Sequence, residues 1–312
     1  MTRVLKWFGI VALVVLLTFI LSNWNSWDDG VLYLQDMFAY TETPPQPLNE
    51  NGRFGFCKQF VTLRNAQRAQ FIENYLDARG IKIQRLPIYD TKFDNLFAPF
   101  SQHGAHTIYS AHYDKLIDEP DYQGASDNSA AVCMLLVAAE ELNKQRPAKP
   151  IAFLFTGEEE RGILGARAFY EYATQNNVPV AEVLNFDSMG RAGIAARAAG
   201  EKSGFVFTIP FLGEYVYDGR EFAPASTYKQ PDAKILERVR SIVPLAHLDR
   251  MVANSDGTYW QSRGWNAVNF TSDDIFYLEE TWHTPQDRVE LLDEHNFERA
   301  VELMIGYATQ NQ

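Results

Sequence analysis

An α/β fold of three layers, with a largely parallel mixed central sheet flanked by helices, is predicted by three observations in this 312-residue chain. Short apolar runs alternate with stretches of helical periodicity, the pattern of units that build a parallel sheet. Ile151-Ala152-Phe153-Leu154-Phe155 is apolar at every position, as a central strand buried on both faces requires. With 46% hydrophobic and 22% charged residues, the chain has enough apolar material for one large core. One transmembrane helix precedes this body, so the expected division is an anchor at 1–25, a tether at 26–53 and a folded domain at 54–312.

The anchor rests on the apolar run Trp7 to Leu21, which Val4 and Leu5 extend past Lys6 to nearly the length of a bilayer span. Arg3 and Lys6 precede it, and Asp28 and Asp29 follow, with Trp24 and Trp27 placed as interfacial residues. The positive-inside rule then leaves the amino end in the cytosol and exports the remainder, with residues 4–24 in contact with the membrane. A cleaved signal peptide would share the basic start, but Leu21-Ser22-Asn23-Trp24-Asn25 offers no small-x-small cleavage site, so the segment reads as uncleaved. In the tether, Thr41-Glu42-Thr43-Pro44-Pro45-Gln46-Pro47 disfavours regular structure.

Within the body, Phe60 to Arg79 is apolar at helical spacing and stops at Gly80, whereas Ile81 to Ile88 alternates like a half-buried strand. Thr107 to Ala111 is a strand that runs into His112, and Asn128 to Asn143 is an Ala-, Leu- and Val-rich helix. After the strand at Ile151, the order is Gly162 to Gln175 as helix, Ala181 to Phe186 as strand, Asp232 to Ile242 as helix, Ala267 to Phe270 as strand and Asp293 to Ala308 as closing helix. Phe205, Phe207, Phe211, Tyr215, Tyr217 and Phe222 read as a local hydrophobic cluster rather than a pocket lining. Cys57 and Cys133 are read as buried thiols, with pairing left open for an oxidising compartment.

The net charge of -12, from 28 basic and 40 acidic residues, argues against a nucleic-acid partner, which would want clustered cations. In open α/β sheets function gathers at the carboxyl ends of the strands. There the sequence places His112 and Asp114, then Glu158 and Glu159, then Asp187, and finally His283, while Asp127 opens a helix. Singly, Asp127 is an N-cap, the glutamates a solvated first turn and either histidine an ordinary hydrogen-bonding residue. Their coincidence at one sheet edge favours a metal site. His103, His106, His247 and His295 lack such neighbours and are read as structural.

His112-Tyr113-Asp114, Gly124-Ala125-Ser126-Asp127-Asn128, Gly157-Glu158-Glu159 with Gly162-Ile163-Leu164-Gly165, Asn185-Phe186-Asp187 and Trp282-His283-Thr284-Pro285-Gln286-Asp287 together resemble the co-catalytic zinc aminopeptidases. These comprise the bacterial leucyl-type aminopeptidases and their carboxypeptidase relatives, and the motifs occur in family order from about Phe60 to the end. The resemblance implies a zinc-exopeptidase-like fold with two zinc ions, one held by His112 and Asp187, the other by Glu159 and His283, with Asp127 bridging. It further implies Glu158 as general base, Asp114 as the carboxylate that orients the His112 ring, and peptides with a free amino terminus as substrates. Two zinc ions about 3.5–4 Å apart need such a bridging carboxylate, and a water between them loses a proton near neutral pH. Ser255-Asp256-Gly257 departs from the Ser-Asp-His that the family often carries before its last core strand.

Three other readings compete. A glutaminyl cyclase would hold one zinc at Asp127, Glu159 and His283; a binding ectodomain would have lost ligands; a carboxypeptidase would share the site with opposite polarity. Four carboxylates crowding one cleft without metal repel one another, so chelation is expected to lower the melting temperature as well as activity. Calorimetry before and after exhaustive metal removal checks this, and an unchanged melting temperature counts against the dinuclear site.

Overall fold

The computed structural model describes residues 13–23, 44–101, 103–200, 203–209, 212–217, 222–224 and 228–310. After a helical stretch at residues 13–22, the helices are α1 (Cys57–Phe60), α2 (Asn65–Asp77), α3 (Ala130–Gln145), α4 (Leu164–Gln175), α5 (Ala233–Arg240), α6 (Asp256–Ser262), α7 (Ile275–Thr281) and α8 (Glu294–Thr309). Strands β1 (Gln84–Pro87), β2 (Asp94–Pro99), β3 (His106–His112), β4 (Ile151–Thr156), β5 (Val180–Phe186), β6 (Ile194–Gly200), β7 (Gly204–Ile209), β8 (Gly213–Tyr217), β9 (Phe222–Pro224), β10 (Tyr228–Lys229), β11 (Leu245–Ala253) and β12 (Ala267–Ser272) share one sheet. Its order is β1-β2-β4-β3-β5-β12-β6-β11-β7-β8-β9, with β10 on β6.

Only the centre is parallel. β4, β3, β5 and β12 run together, as do β6 and β11, while every other pairing is antiparallel, so the sheet is more mixed than the sequence pattern suggests. Every residue of β3 and β4 is buried because helices cover both faces. Burying each large side chain of β4 contributes about 1.5–3 kcal/mol. On one face α3 and α8 pack together, joined to β3 by the hydrogen bond from the Tyr109 hydroxyl to the Met304 carbonyl (2.8 Å). On the other, Phe169 of α4 meets Trp260 of α6 edge to face, and the Trp260 indole N–H donates to the Ala166 carbonyl.

The strands absent from the sequence expectation have understandable signatures. β2 ends in a proline and lies second from one margin, and β6, Ile-Ala-Ala-Arg-Ala-Ala-Gly, is alanine-rich where strands usually show branched residues. The expected strand at Ile81 to Ile88 shortens to four residues. Phe205, Phe207, Tyr215 and Tyr217 fall on the antiparallel pair β7–β8, whose other face buries Val206 and Val216 against Ala198; Phe211 lies outside the described residues. Among the described residues no helix is long and apolar enough to cross a membrane. Residues 1–12 and 24–25 of the expected anchor, and 26–43 of the expected tether, lie outside the described residues. Chain ahead of residue 54 is packed: Leu48 is buried, and Asn49 N–H and Arg53 bond Glu294 and Glu298 of α8.

The two cysteines are not free thiols. α1 lies against the first turn of α3, bringing the Cα atoms of Cys57 and Cys133 to 6.1 Å, and the side chains form a disulfide. Closing so long a loop stabilises the fold by about 2–4 kcal/mol. Denaturant midpoints with and without reductant should differ accordingly; equal midpoints would show that the bond constrains little.

Candidate metal centre

The carboxyl ends of β3, β4 and β5 lie side by side and deliver the candidate ligands. His112 ends β3, Thr156 ends β4 three residues before Glu159, and Asp187 follows β5. Asp127 sits in a tight turn, Ala125–Ser129, ahead of α3, and His283 follows α7. Gly124 opens the Asp127 turn with φ 53°, and a Cβ there would stand 2.5 Å from the Asp127 carbonyl oxygen, so only glycine fits.

Two donor sets meet at Asp127. His112 Nε2 is 3.1 Å from Asp127 Oδ1 and 3.5 Å from Asp187 Oδ1. His283 Nε2 is 3.3 Å from Asp127 Oδ2 and 3.1 Å from Glu160 Oε2. In each set the donor atoms lie within 4.8 Å of one another, and one Asp127 oxygen faces each side. Imidazole with carboxylate is the donor combination that suits zinc, and the buried Glu160 Oε1, without a hydrogen-bond partner among the described residues, is what a ligand oxygen shows.

The structure thus brings together His112, Asp127, Asp187 and His283 as expected, but the glutamate that reaches His283 is Glu160, one residue beyond the expected Glu159. Glu158, at φ 58°, is in the left-handed region, and this reverses the chain after β4. Its buried carboxylate turns to Arg161 (3.4 Å), away from both donor sets. Glu159 and Glu160 then face the cleft. Three consecutive glutamates are indistinguishable in a sequence pattern, and the left-handed turn that selects among them leaves no trace there.

Asp114 braces two ligand segments. Its Oδ1 lies 3.5 Å from His112 Nδ1, while its two oxygens accept from the Glu159 and Glu160 N–H groups (3.1 and 3.2 Å). Asp287, to which sequence reasoning gave no role, does the same for the turn that carries Asp127, accepting from the N–H groups of Ser126 (2.8 Å) and Asp127 (3.1 Å). Asn128 Nδ2 donates to the Phe186 carbonyl, tying that turn to the residue before Asp187. Beneath lies a buried polar network in which Asn185 bonds Ser110, Ser255 and Asn269. It explains the departure at Gly257: a Cβ there would stand 2.1 Å from Asn269 Oδ1, so histidine has no room.

Burial pushes Glu159 well above the usual carboxylate range, with Asp187, Asp256 and Glu160 adding to the rise against the pull of His112. Burial also lifts Glu160 to about 7, as Asp127 repels its charge and His283 partly offsets this. His112 is opposed by burial yet ends well above the imidazole range because Asp114, Asp127 and Asp187 surround it. Asp256, buried and accepting from Thr156 Oγ1, is raised to about 7 mainly by burial. Tyr122, also unanticipated, is buried with a hydroxyl lacking a hydrogen-bond partner among the described residues, within electrostatic reach of Asp127 and Glu160. The cleft is therefore overloaded with negative charge that wants cations.

An open α/β sheet with two carboxylate–histidine sets at its strand ends defines a metallohydrolase type of site. Residues 95–308 match Peptidase family M28, and the chain belongs to that family, a class of hydrolases. It is similar to aminopeptidase YwaD of Bacillus subtilis, 25% identical over 198 residues that cover 62% of this chain and 38% of that one. The chain spans well under half the length of the curated relatives it matches. The solved LapA aminopeptidase of Legionella pneumophila shares the fold with a TM-score of 0.64 at 14% identity, over 85% of this chain and 73% of that one. So does a glutaminyl cyclase of Tannerella forsythia, with a TM-score of 0.59 at 16% identity, over 86% and 100%.

Replacing Asp114 or Asp287 by Asn should leave the fold intact and weaken metal retention by about 10–100-fold. Competition with a chromophoric chelator measures this, and wild-type retention in both variants would remove their positioning role.

Proposed function

We propose that the protein is a two-zinc aminopeptidase held at a membrane by its amino-terminal segment. The observation that carries the reading is the pair of donor sets sharing Asp127. His112 and Asp187 would hold one ion and Glu160 and His283 the other, with Asp127 common to both sets. Charge balance supports this: Asp127, Glu160 and Asp187 would offset three of the four positive charges of two zinc ions. Bound zinc would supply Lewis acidity toward the scissile carbonyl and lower the pKa of the attacking water.

The chain's own residues do the rest. Glu159, not Glu158, is the general base: it shares the cleft with His112, Asp187 and Asp256, and its raised affinity for a proton suits taking one from water and passing it to the leaving amine. Asp256 faces the same space and keeps Glu159 from ionising too readily. The Tyr122 hydroxyl, without a hydrogen-bond partner among the described residues, would donate to an oxygen that gains charge. Glu158 stays with Arg161. An acidic cleft also favours a free α-amine over a carboxylate, which sets amino-terminal against carboxyl-terminal polarity.

A glutaminyl cyclase would share this fold, but the complete His112–Asp127–Asp187 set beside the second one favours two metals. With no donor missing, a purely binding ectodomain is disfavoured. Export of the domain is supported by the Cys57–Cys133 disulfide, since such bonds persist in oxidising compartments.

Glu158→Gln, Glu159→Gln and Glu160→Gln separate the roles. Glu159→Gln should keep two zinc ions per chain and lose about 10²–10⁴ in kcat on aminoacyl anilides, whereas Glu158→Gln retains most activity. Glu160→Gln should lose metal. Zinc content with turnover reads all three, and an inactive, metal-replete Glu158→Gln beside an active Glu159→Gln would reverse the assignment. One zinc per chain with cyclisation of amino-terminal glutamine would replace the peptidase reading altogether.

A further inference from the structure

Helical residues 13–22 stand apart from the domain. Leu13, Val14, Val15, Leu16 and Leu17 are 41–55% exposed and Leu21 is 70% exposed, so apolar side chains face outward all round rather than along one stripe. A helix apolar on every side and not packed in a core belongs in lipid. It meets the domain at its carboxyl end. Asn23, fully buried, donates through Nδ2 to the carbonyl of Phe19 (2.7 Å), capping the helix, and to the carbonyl of Thr208 (2.8 Å) in β7, and its Oδ1 accepts from the Thr208 N–H. One amide thereby joins the apolar helix to the β7–β8 hairpin.

That hairpin is poor in charge. From Gly204 to Tyr217 the sequence has a single charged residue, Glu214, and residues 209–212 are Ile-Pro-Phe-Leu. The pairing Phe205↔Tyr217, Phe207↔Tyr215 and Ile209↔Gly213 sets aromatic and aliphatic residues on the face opposite Val206 and Val216, all of the large ones partly exposed. Leu212, in the turn closed by its N–H donating to the Ile209 carbonyl, is 68% exposed. Leu212 is two residues from Glu214, the cross-strand partner of Thr208, and so lies about 7 Å from it along the strand at about 3.3 Å per residue. This is comparable to the depth of a headgroup layer, about 5–8 Å.

We propose that the β7–β8 hairpin is a second membrane contact, its turn at Leu212 seated in the interfacial layer of the same bilayer that holds the amino-terminal helix. The proposal rests on the anchor reading above. The occupant is lipid rather than a protein partner, because the turn adjoins the point where the apolar helix leaves the bilayer. The attraction is apolar: with a net charge of -12 the protein gains nothing from anionic headgroups. Two attachment points fix the domain's tilt over the membrane, where the helix alone would leave it free to swing.

The test uses the full chain in phosphatidylcholine vesicles, with Leu212→Cys carrying a polarity-sensitive fluorophore and Glu171→Cys, on exposed α4 at the far end of the sheet, as reference. With both native cysteines paired, each introduced thiol is unique. Brominated acyl chains should quench the probe at 212 by about half and blue-shift it, as for a side chain at the headgroup–acyl boundary, and leave the probe at 171 unchanged. Asn23→Ala, which uncouples hairpin from helix, should reduce the quenching while the protein still floats with the vesicles. Flotation without quenching at 212 overturns the hairpin contact and leaves the anchor standing; failure to float overturns both.

Discussion

Too much negative charge in too little water is the constraint around which the molecule is arranged. Asp114, Asp127, Glu159, Glu160, Asp187 and Asp256 gather at the carboxyl ends of three parallel strands, three of them buried and three half-buried. Repulsion at such distances opposes folding unless counter-charge is present. Two histidines answer part of it. Arg68, fully buried in α2, answers another part from below: its guanidinium donates to the carbonyls of Leu63, Tyr113 and Gln123 and to the Ser129 hydroxyl. Burial lowers it to about 10, with Asp114, Asp118, Asp287 and Asp127 resisting the fall, so it stays charged at neutral pH. Because Tyr113 lies between His112 and Asp114, and Ser129 follows Asp127 by two residues, the same cation that balances charge also fixes the two ligand segments.

Carboxylates serve here as struts as often as ligands. Asp114 and Asp287 each accept two backbone N–H groups from a turn that carries a donor side chain. Backbone N–H groups held this way cannot drift, and the side chains attached to them inherit the precision. His283, at φ 57°, and Ser188, beside Asp187 at φ 55°, lie in the left-handed region as Glu158 does. Such residues concentrate where a site is built rather than where a fold is merely packed.

Much of this was legible in the residues alone, because β4 is an apolar block, β3 and β5 are short runs that bury toward their carboxyl ends, and parallel sheets put the polar residues that follow them on one edge. The order of the donors followed. What stayed hidden depends on backbone geometry or on distant neighbours: which of three glutamates reaches His283, why Gly257 stands where a histidine was expected, and that Cys57 meets Cys133. The alanine-rich β6 was silent because its strand character comes from filling a gap between β12 and β11, not from its own side chains. Tyr122 gave no signal either, since an orphaned hydroxyl exists only once its surroundings do.

Asp127 presents one oxygen to each histidine. A cation entering one donor set therefore changes the charge available to the other, and thermodynamic linkage makes that influence equal in both directions. On the two-metal reading proposed above, the two sets would have no private affinities, and a metal titration would describe the pair as a unit, in the way that two carboxylates sharing a proton have only joint pKa values.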